Sequence, residues 1–139
     1  DNHGRHGMSE SNGVILAADF LETTRPPNRI TDVRDGTANT ILLGESLFEL
    51  HGESGCFTCD RFYLYHPNAD SRHGSDFSEA LGSTYYRPNT LGGRELAREC
   101  AFSSHHASGV VTAMVDGSAR FFGDTIDLAV WRRLGSIAD

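Results

Sequence analysis

The stretch "HHASGVVTAMVDGSARFF", residues 105–122, decides the fold. Asp116-Gly117 lies between two β-rich runs, the strongest short hairpin signal, because a type I′ turn needs positive φ at both central residues and Asp-Gly tolerates it. A two-residue loop pairs Val115 with Ser118, Ala113 with Arg120 and Val111 with Phe122 on one face. The other face then carries Met114 opposite Ala119 and Thr112 opposite Phe121. Neither face is polar, so both are expected to be covered at least in part.

A first cover lies just downstream, in "GDTIDLAVWRRLGS". Thr125 or Asp127 can cap a helix there, Leu128, Trp131 and Leu134 fall on one stripe, and Gly135 is placed to stop it. Such a helix is short and covers only part of a sheet. Apolar area is left for another helix, from this chain or from a partner.

Upstream, "NGVILAADF" (12–20) reads as a strand, and Pro26-Pro27 as a connector that lacks two backbone donors. "ITDVRDGTANTILLGES" follows, with Thr31 as a candidate N-cap of one helical turn, a turn at Asp35-Gly36 and a strand from Thr40 to Leu43. From Gly52 to Asn89 the composition shifts to Gly, Ser, Asp, His and aromatics, interrupted by the strand-like "CDRFYLYH" (59–66), and "GGRELAREC" has the pattern of a short helix. The expectation is one α+β domain over 1–139, with a loop-rich insertion at about 52–100. Its antiparallel sheet combines the strand near 13–18, the Thr40–Glu45 strand and the 109–122 hairpin.

Composition narrows the function. A net charge of −7 and a pI near 5.4, with no clustered basic groups, exclude a nucleic-acid binder. Lys is absent, which excludes Schiff-base and lysine-base chemistry. No apolar run approaches the roughly 20 residues of a membrane helix, and "DNHGRHGMSE" lacks the regions of a signal peptide. The chain as it stands is expected to be soluble, without membrane contact of its own.

Several residues invite a chemical reading. His106 and Asp116 sit ten positions apart along a strand, about 30 Å if extended, and a general acid/base pair would need a bend between them. Asp116 is better explained as the turn residue, and His106 as a strand-entrance residue bonded to backbone or to Glu45. Ser103, Ser104 and Ser108 read as loop serines, and no Gly-x-Ser-x-Gly elbow exists. Cys56, Cys59 and Cys100 with His105 or His106 could supply a Cys3His zinc set, or one disulfide plus a free thiol. The strand-like run after Cys59 argues against a thioredoxin-like role. Asp70, Asp76 and Glu79, or Asp32 with Asp35, are candidate calcium ligands without the spacing of a calcium loop. Phe62, Tyr63, Tyr65, Tyr85 and Tyr86 could line a glycan or partner surface, or simply pack.

Two blocks resemble a known family. Ser104-His105-His106, nine further residues and then Asp116-Gly117-Ser118-Ala119-Arg120-Phe121, followed by Thr125-Ile126-Asp127 and Trp131-Arg132-Arg133-Leu134-Gly135, looks like the prepilin-type His-x9-Asp-Gly motif. That motif marks the bacterial domain-of-unknown-function family 1559. The block Asp35, Gly36, Thr37, Ala38, Asn39, Thr40, Ile41, Leu42, Leu43, Gly44, Glu45 is similar to a second segment of that family, with Ala38 in place of its usual Ser. Ala107-Ser108-Gly109 stands where the family usually has Pro-Gly-Gly.

The resemblance implies a type IV pilin or pseudopilin-like globular head, whose small antiparallel sheet packs on a long N-terminal helix absent from this sequence. It implies a non-enzymatic subunit of a cell-surface or type II secretion-like filament, with other pilin-like subunits or envelope components as partners and homo-oligomers a natural outcome. The location it implies is secreted, periplasmic or cell-surface, anchored in full-length form by that helix. In such a setting a disulfide between Cys59 and Cys100 is favoured over zinc, closing a loop of about 40 residues and stabilising by about 4 kcal/mol. Two other classes compete with the filament subunit: an extracellular zinc- or calcium-dependent binding or hydrolytic domain, and a small-ligand or glycan-binding domain with an aromatic pocket near Tyr63 and Tyr85.

Overall fold

Val110, Val111 and Thr112 give Gly109–Met114 a β-branched centre, and Arg120-Phe121-Phe122 follow beyond the Asp-Gly, so the segment folds back on itself as a hairpin. The computed structural model describes residues 12–15, 26–47, 82–90 and 101–138. Strands β1 (Ile41–Gly44), β2 (Gly109–Met114) and β3 (Ala119–Gly123) form an antiparallel sheet in that order, and helix α1 (Leu128–Leu134) follows. The architecture is a small α+β fold.

The hairpin differs from expectation by one residue. Met114 N–H donates to the Ser118 carbonyl at 2.8 Å and Gly117 N–H to the Met114 carbonyl at 2.9 Å, so the loop is Val115-Asp116-Gly117. A loop of this length needs one left-handed residue, and Gly117 supplies it at φ 85°. Asp116 keeps an ordinary φ, and its carboxylate accepts from Ser118 N–H at 2.9 Å and Ser118 Oγ–H at 2.7 Å. In place of the expected pairs, Ala113 faces Ala119, Thr112 faces Arg120, Val111 faces Phe121 and Val110 faces Phe122.

That slip decides what is buried, because one residue moves a side chain to the other face. Val110, Thr112 and Met114 are buried together with part of Phe122. Trp131 of α1 is fully buried against them, edge-on to Phe102 at 5.9 Å and to Phe122 at 5.5 Å between centroids. Its Nε1–H donates to the Tyr86 carbonyl at 2.8 Å, so the ring is buried without an unpaired donor. Phe102 lies between Gly44 and Gly82, where an added Cβ would come within 2.5 and 2.4 Å of its ring. Only glycines admit the ring at this approach.

The opposite face is covered only in part among the described residues. Leu43 and Phe121 stay 56% and 54% exposed there, in keeping with the apolar area that the short helix was expected to leave. α1 behaves as anticipated: the Asp127 carboxylate, and not Thr125, caps the Ala129 and Val130 amides at 2.9 and 3.0 Å. Leu128, Trp131 and Leu134 face the core, and Gly135 follows the last turn.

Two upstream expectations change. Residues 13–15 form bends and not a strand, and 16–18 lie outside the described residues. Thr31 sits inside the 3-10 turn Ile30–Asp32, whose N-cap is Arg29; Arg29 N–H donates to the Asp32 carboxylate at 2.8 Å. β1 itself carries a bulge at Leu42, between the pairs Ile41 with Met114 and Leu43 with Ala113.

Candidate functional site

The two motif blocks lie side by side. β1 runs antiparallel to β2, so the block from Asp35 to Glu45 starts beside the hairpin tip and ends beside its entrance. At the tip, Asp116 N–H donates to the Thr37 carbonyl at 3.1 Å and Val115 N–H to the Thr40 carbonyl at 2.9 Å. Gly36, at φ 92°, turns the chain into this position, and its carbonyl accepts from Asn39 N–H at 2.9 Å and from the buried Thr40 hydroxyl at 3.2 Å. Asn39 Nδ2–H reaches back to the Asp35 carbonyl at 3.3 Å. The turn chemistry of one block therefore seats the turn of the other.

At the entrance, the chain leaves the ladder at Glu45. Its N–H still donates to the Val111 carbonyl at 3.2 Å, but its own carbonyl accepts from Ser103 N–H at 3.0 Å. Val111 N–H would lose its ladder partner. The Glu45 carboxylate replaces it, with Oε2 accepting from Val111 N–H at 2.7 Å, while Oε1 meets His106 Nε2 at 3.0 Å. The predicted contact of His106 with Glu45 is present, and it orients the carboxylate that completes the sheet.

The entrance loop is tied by residues that read as ordinary loop serines. Ser103 is buried, and its Oγ accepts from Leu47 N–H at 2.9 Å. Ser104 Oγ donates to the Gly109 carbonyl at 2.7 Å and accepts from His106 N–H at 3.0 Å. Asn89, at φ 57°, reaches the same loop: its Oδ1 accepts from Ser104 N–H at 2.8 Å and its Nδ2 donates to the Gly109 carbonyl at 3.3 Å. The signal for Asn89 is its turn context, "RPNT", since Asn tolerates the left-handed region.

His106 and Asp116 thus stand at opposite ends of β2 with separate partners. Asp116 is held below the ordinary carboxylate range, first by the Ser118 hydroxyl and then by the Ser118 amide, with Arg120 adding attraction. This is the electrostatics of a satisfied turn. His105 is exposed beside His106.

The remaining candidates divide between those outside the description and those that pack. Cys56, Cys59, Cys100, Asp70, Asp76, Glu79, Phe62, Tyr63 and Tyr65 lie outside the described residues, as does the 92–100 segment. Among the described residues, no three His, Cys, Asp or Glu side chains are grouped to hold a metal. The Asp32 carboxylate serves Arg29 N–H. Tyr85 and Tyr86 hold α1: Arg132 lies 4.2 Å over the Tyr85 ring and donates through Nε to the Tyr85 carbonyl at 3.1 Å, while Tyr86 receives Trp131.

The profile of the family described as "Protein of unknown function (DUF1559)" matches residues 2–129. The chain belongs to domain-of-unknown-function family 1559. No curated protein and no solved structure matches it. The family 1559 match takes in both blocks, from Asp35 to Glu45 and from His106 to Gly117, as well as the segment from 52 to 100 between them. It stops within α1, so Trp131 and its stripe extend beyond the matched residues.

Proposed function

We propose that this family 1559 chain is a non-enzymatic, pilin-like globular head, a structural and interaction subunit of a cell-surface or secretion filament displayed outside the cytoplasm. The observation that carries the reading is the use made of the motif side chains. Glu45 completes a strand ladder, His106 orients Glu45, Asp116 closes a turn and Thr40 closes another. Of the residues that could serve as acid, base or ligand in an enzyme, Glu45 and Asp116 hold backbone amides and His106 holds Glu45.

The partly covered sheet face supports the same reading, since Leu43 and Phe121 present apolar area that a neighbouring helix or subunit would cover. Other pilin-like subunits or envelope components are the proposed partners, and no cofactor is invoked.

The test is to localise the full-length protein in its native cells by immunogold labelling with antibodies to this domain, followed by in-cell crosslinking. Labelled surface filaments, with crosslinks to pilin-like subunits, are the expected outcome. A protein confined to the cytosol, or one labelled outside any filament, contradicts the reading.

A further inference from the structure

β3 is an outer strand of the sheet, and its edge differs from the edge at β1. β1 is broken by a bulge, whereas β3 pairs along Ala119–Gly123 without a shift of register. Bulges, Pro and charged side chains are devices that keep edges from pairing with other chains; β3 has no bulge and no Pro, and Arg120 is its one charge. The bonds closing the two hairpin ends, Met114 N–H to Ser118 O at 2.8 Å and Asp124 N–H to Ser108 O at 2.9 Å, fix which residues face β2. Alternation then directs the backbone groups of Arg120 and Phe122 to β2, and those of Ala119, Phe121 and Gly123 outward. Of these outward groups, the Gly123 carbonyl takes the Ile126 N–H at 3.1 Å, and the others have no partner among the described residues.

We infer that a second copy of this chain pairs with this edge, β3 against β3, antiparallel about a two-fold axis at Phe121. With Phe121 opposite its counterpart, Ala119 falls opposite Gly123 of the second copy, and outward donors meet outward acceptors. The side chains fit the same register. The two exposed Phe121 rings meet on the partly covered face as a cross-strand aromatic pair. On the other face Arg120 lies opposite Phe122, whose ring packs on Trp131, and between the diagonal positions of Asp124 and Arg120 of the second copy, so its attractive partner across the seam is the Asp124 carboxylate.

The sequence from Arg120 to Asp124 is thus complementary to itself when reversed, with a cation near one end and an anion at the other. Self-complementarity is what a two-fold contact requires, and it favours a second copy over an unrelated extended peptide. A five-residue edge buries less than about 1,200 Å², which places the pair among weak, transient dimers. The contact is closed and does not require the filament reading, although both draw on the exposed Phe121.

Sedimentation velocity on the full chain, from about 10 μM to about 1 mM, tests the inference. A monomer–dimer equilibrium is expected. Phe121→Pro removes an outward N–H and no ladder bond to β2, and it is expected to weaken dimerisation at least tenfold. Arg120→Asp is expected to weaken it too, and Arg120→Asp combined with Asp124→Arg to restore it. Trp131 emission confirms that each variant is folded, and should Phe121→Pro unfold, the charge-swap pair decides alone. A wild-type chain that stays monomeric at about 1 mM, or a dimer indifferent to the charge swap, overturns the inference.

Discussion

Glu45 has two oxygens and two duties, and they are unequal. Oε2 satisfies the half-buried Val111 amide, while Oε1 meets an imidazole that is itself 56% exposed. Glu45→Ala leaves the amide unpaired and is expected to cost about 1–3 kcal/mol in urea unfolding. His106→Ala is expected to cost below about 1 kcal/mol, as an exposed pair does. Glu45→Gln, which keeps an acceptor for Val111, should fall between them. At the other end of β2, the Asp116 carboxyl is held below its ordinary value of 3.8 mainly by Ser118. Its contribution is therefore fully present above that value and is lost as pH falls through the depressed folded value. A carbon-detected titration of Asp116 should show the low midpoint, and Ser118→Ala should move it back up; an unchanged midpoint in that variant would count against the turn assignment. The Glu45–His106 contact was legible because both residues sit in blocks quoted from the sequence. Ser103 and Asn89 were not, since their partners lie on segments distant along the chain and brought together only by folding; the Ser104 hydroxyl has local partners, Gly109 and His106, but a lone loop serine carries no pattern that marks them.

At the scale of elements, the hairpin shows where sequence reading stops. Asp-Gly satisfies a two-residue type I′ loop and equally a three-residue loop with glycine in the left-handed position, and the choice shifts every pair by one. The turn leading into β1 decides between them, because it draws Val115 N–H to the Thr40 carbonyl and Asp116 N–H to the Thr37 carbonyl, tertiary contacts no local pattern contains. The helix was easier to read, since the Asp127 cap and the Leu128, Trp131, Leu134 stripe are local features. Two glycine substitutions separate conformational from packing effects. Gly117 has nothing within 4 Å of an added Cβ but sits at φ 85°, so Gly117→Ala should cost about 1–2 kcal/mol, with Gly117→Asn milder. Gly44→Ala would drive a methyl into the Phe102 ring and should cost about 1–3 kcal/mol by overpacking. Replacing Phe102 with Leu in the Gly44→Ala background should recover part of that loss and none of the Gly117→Ala loss. Thermal unfolding of the set reads both.

Across the whole molecule, one tryptophan reports the core. Trp131 is the single tryptophan of the chain and is fully buried, so its emission should be blue-shifted when folded and move red in one transition on unfolding. Trp131→Ala is expected to cost about 3–5 kcal/mol, enough to unfold a small domain. Trp131→Phe should cost less, because it keeps the aromatic contacts with Phe102 and Phe122 while giving up the bond to the Tyr86 carbonyl. The family and the α+β class were readable from two short blocks and the uncovered apolar area from the shortness of the helix, while the residues that line that area followed only from the hairpin register. The account centres on the two blocks closing on each other as scaffold, and the Val111 amide tests that most directly, because its partner in the structure is the Glu45 carboxylate. Amide hydrogen exchange followed by NMR should find Val111, Val115 and Asp116 protected, with Glu45→Ala abolishing protection at Val111 and leaving it at Val115. A Val111 amide that exchanges at the unprotected rate in the wild-type chain, or stays protected in Glu45→Ala, would contradict the account.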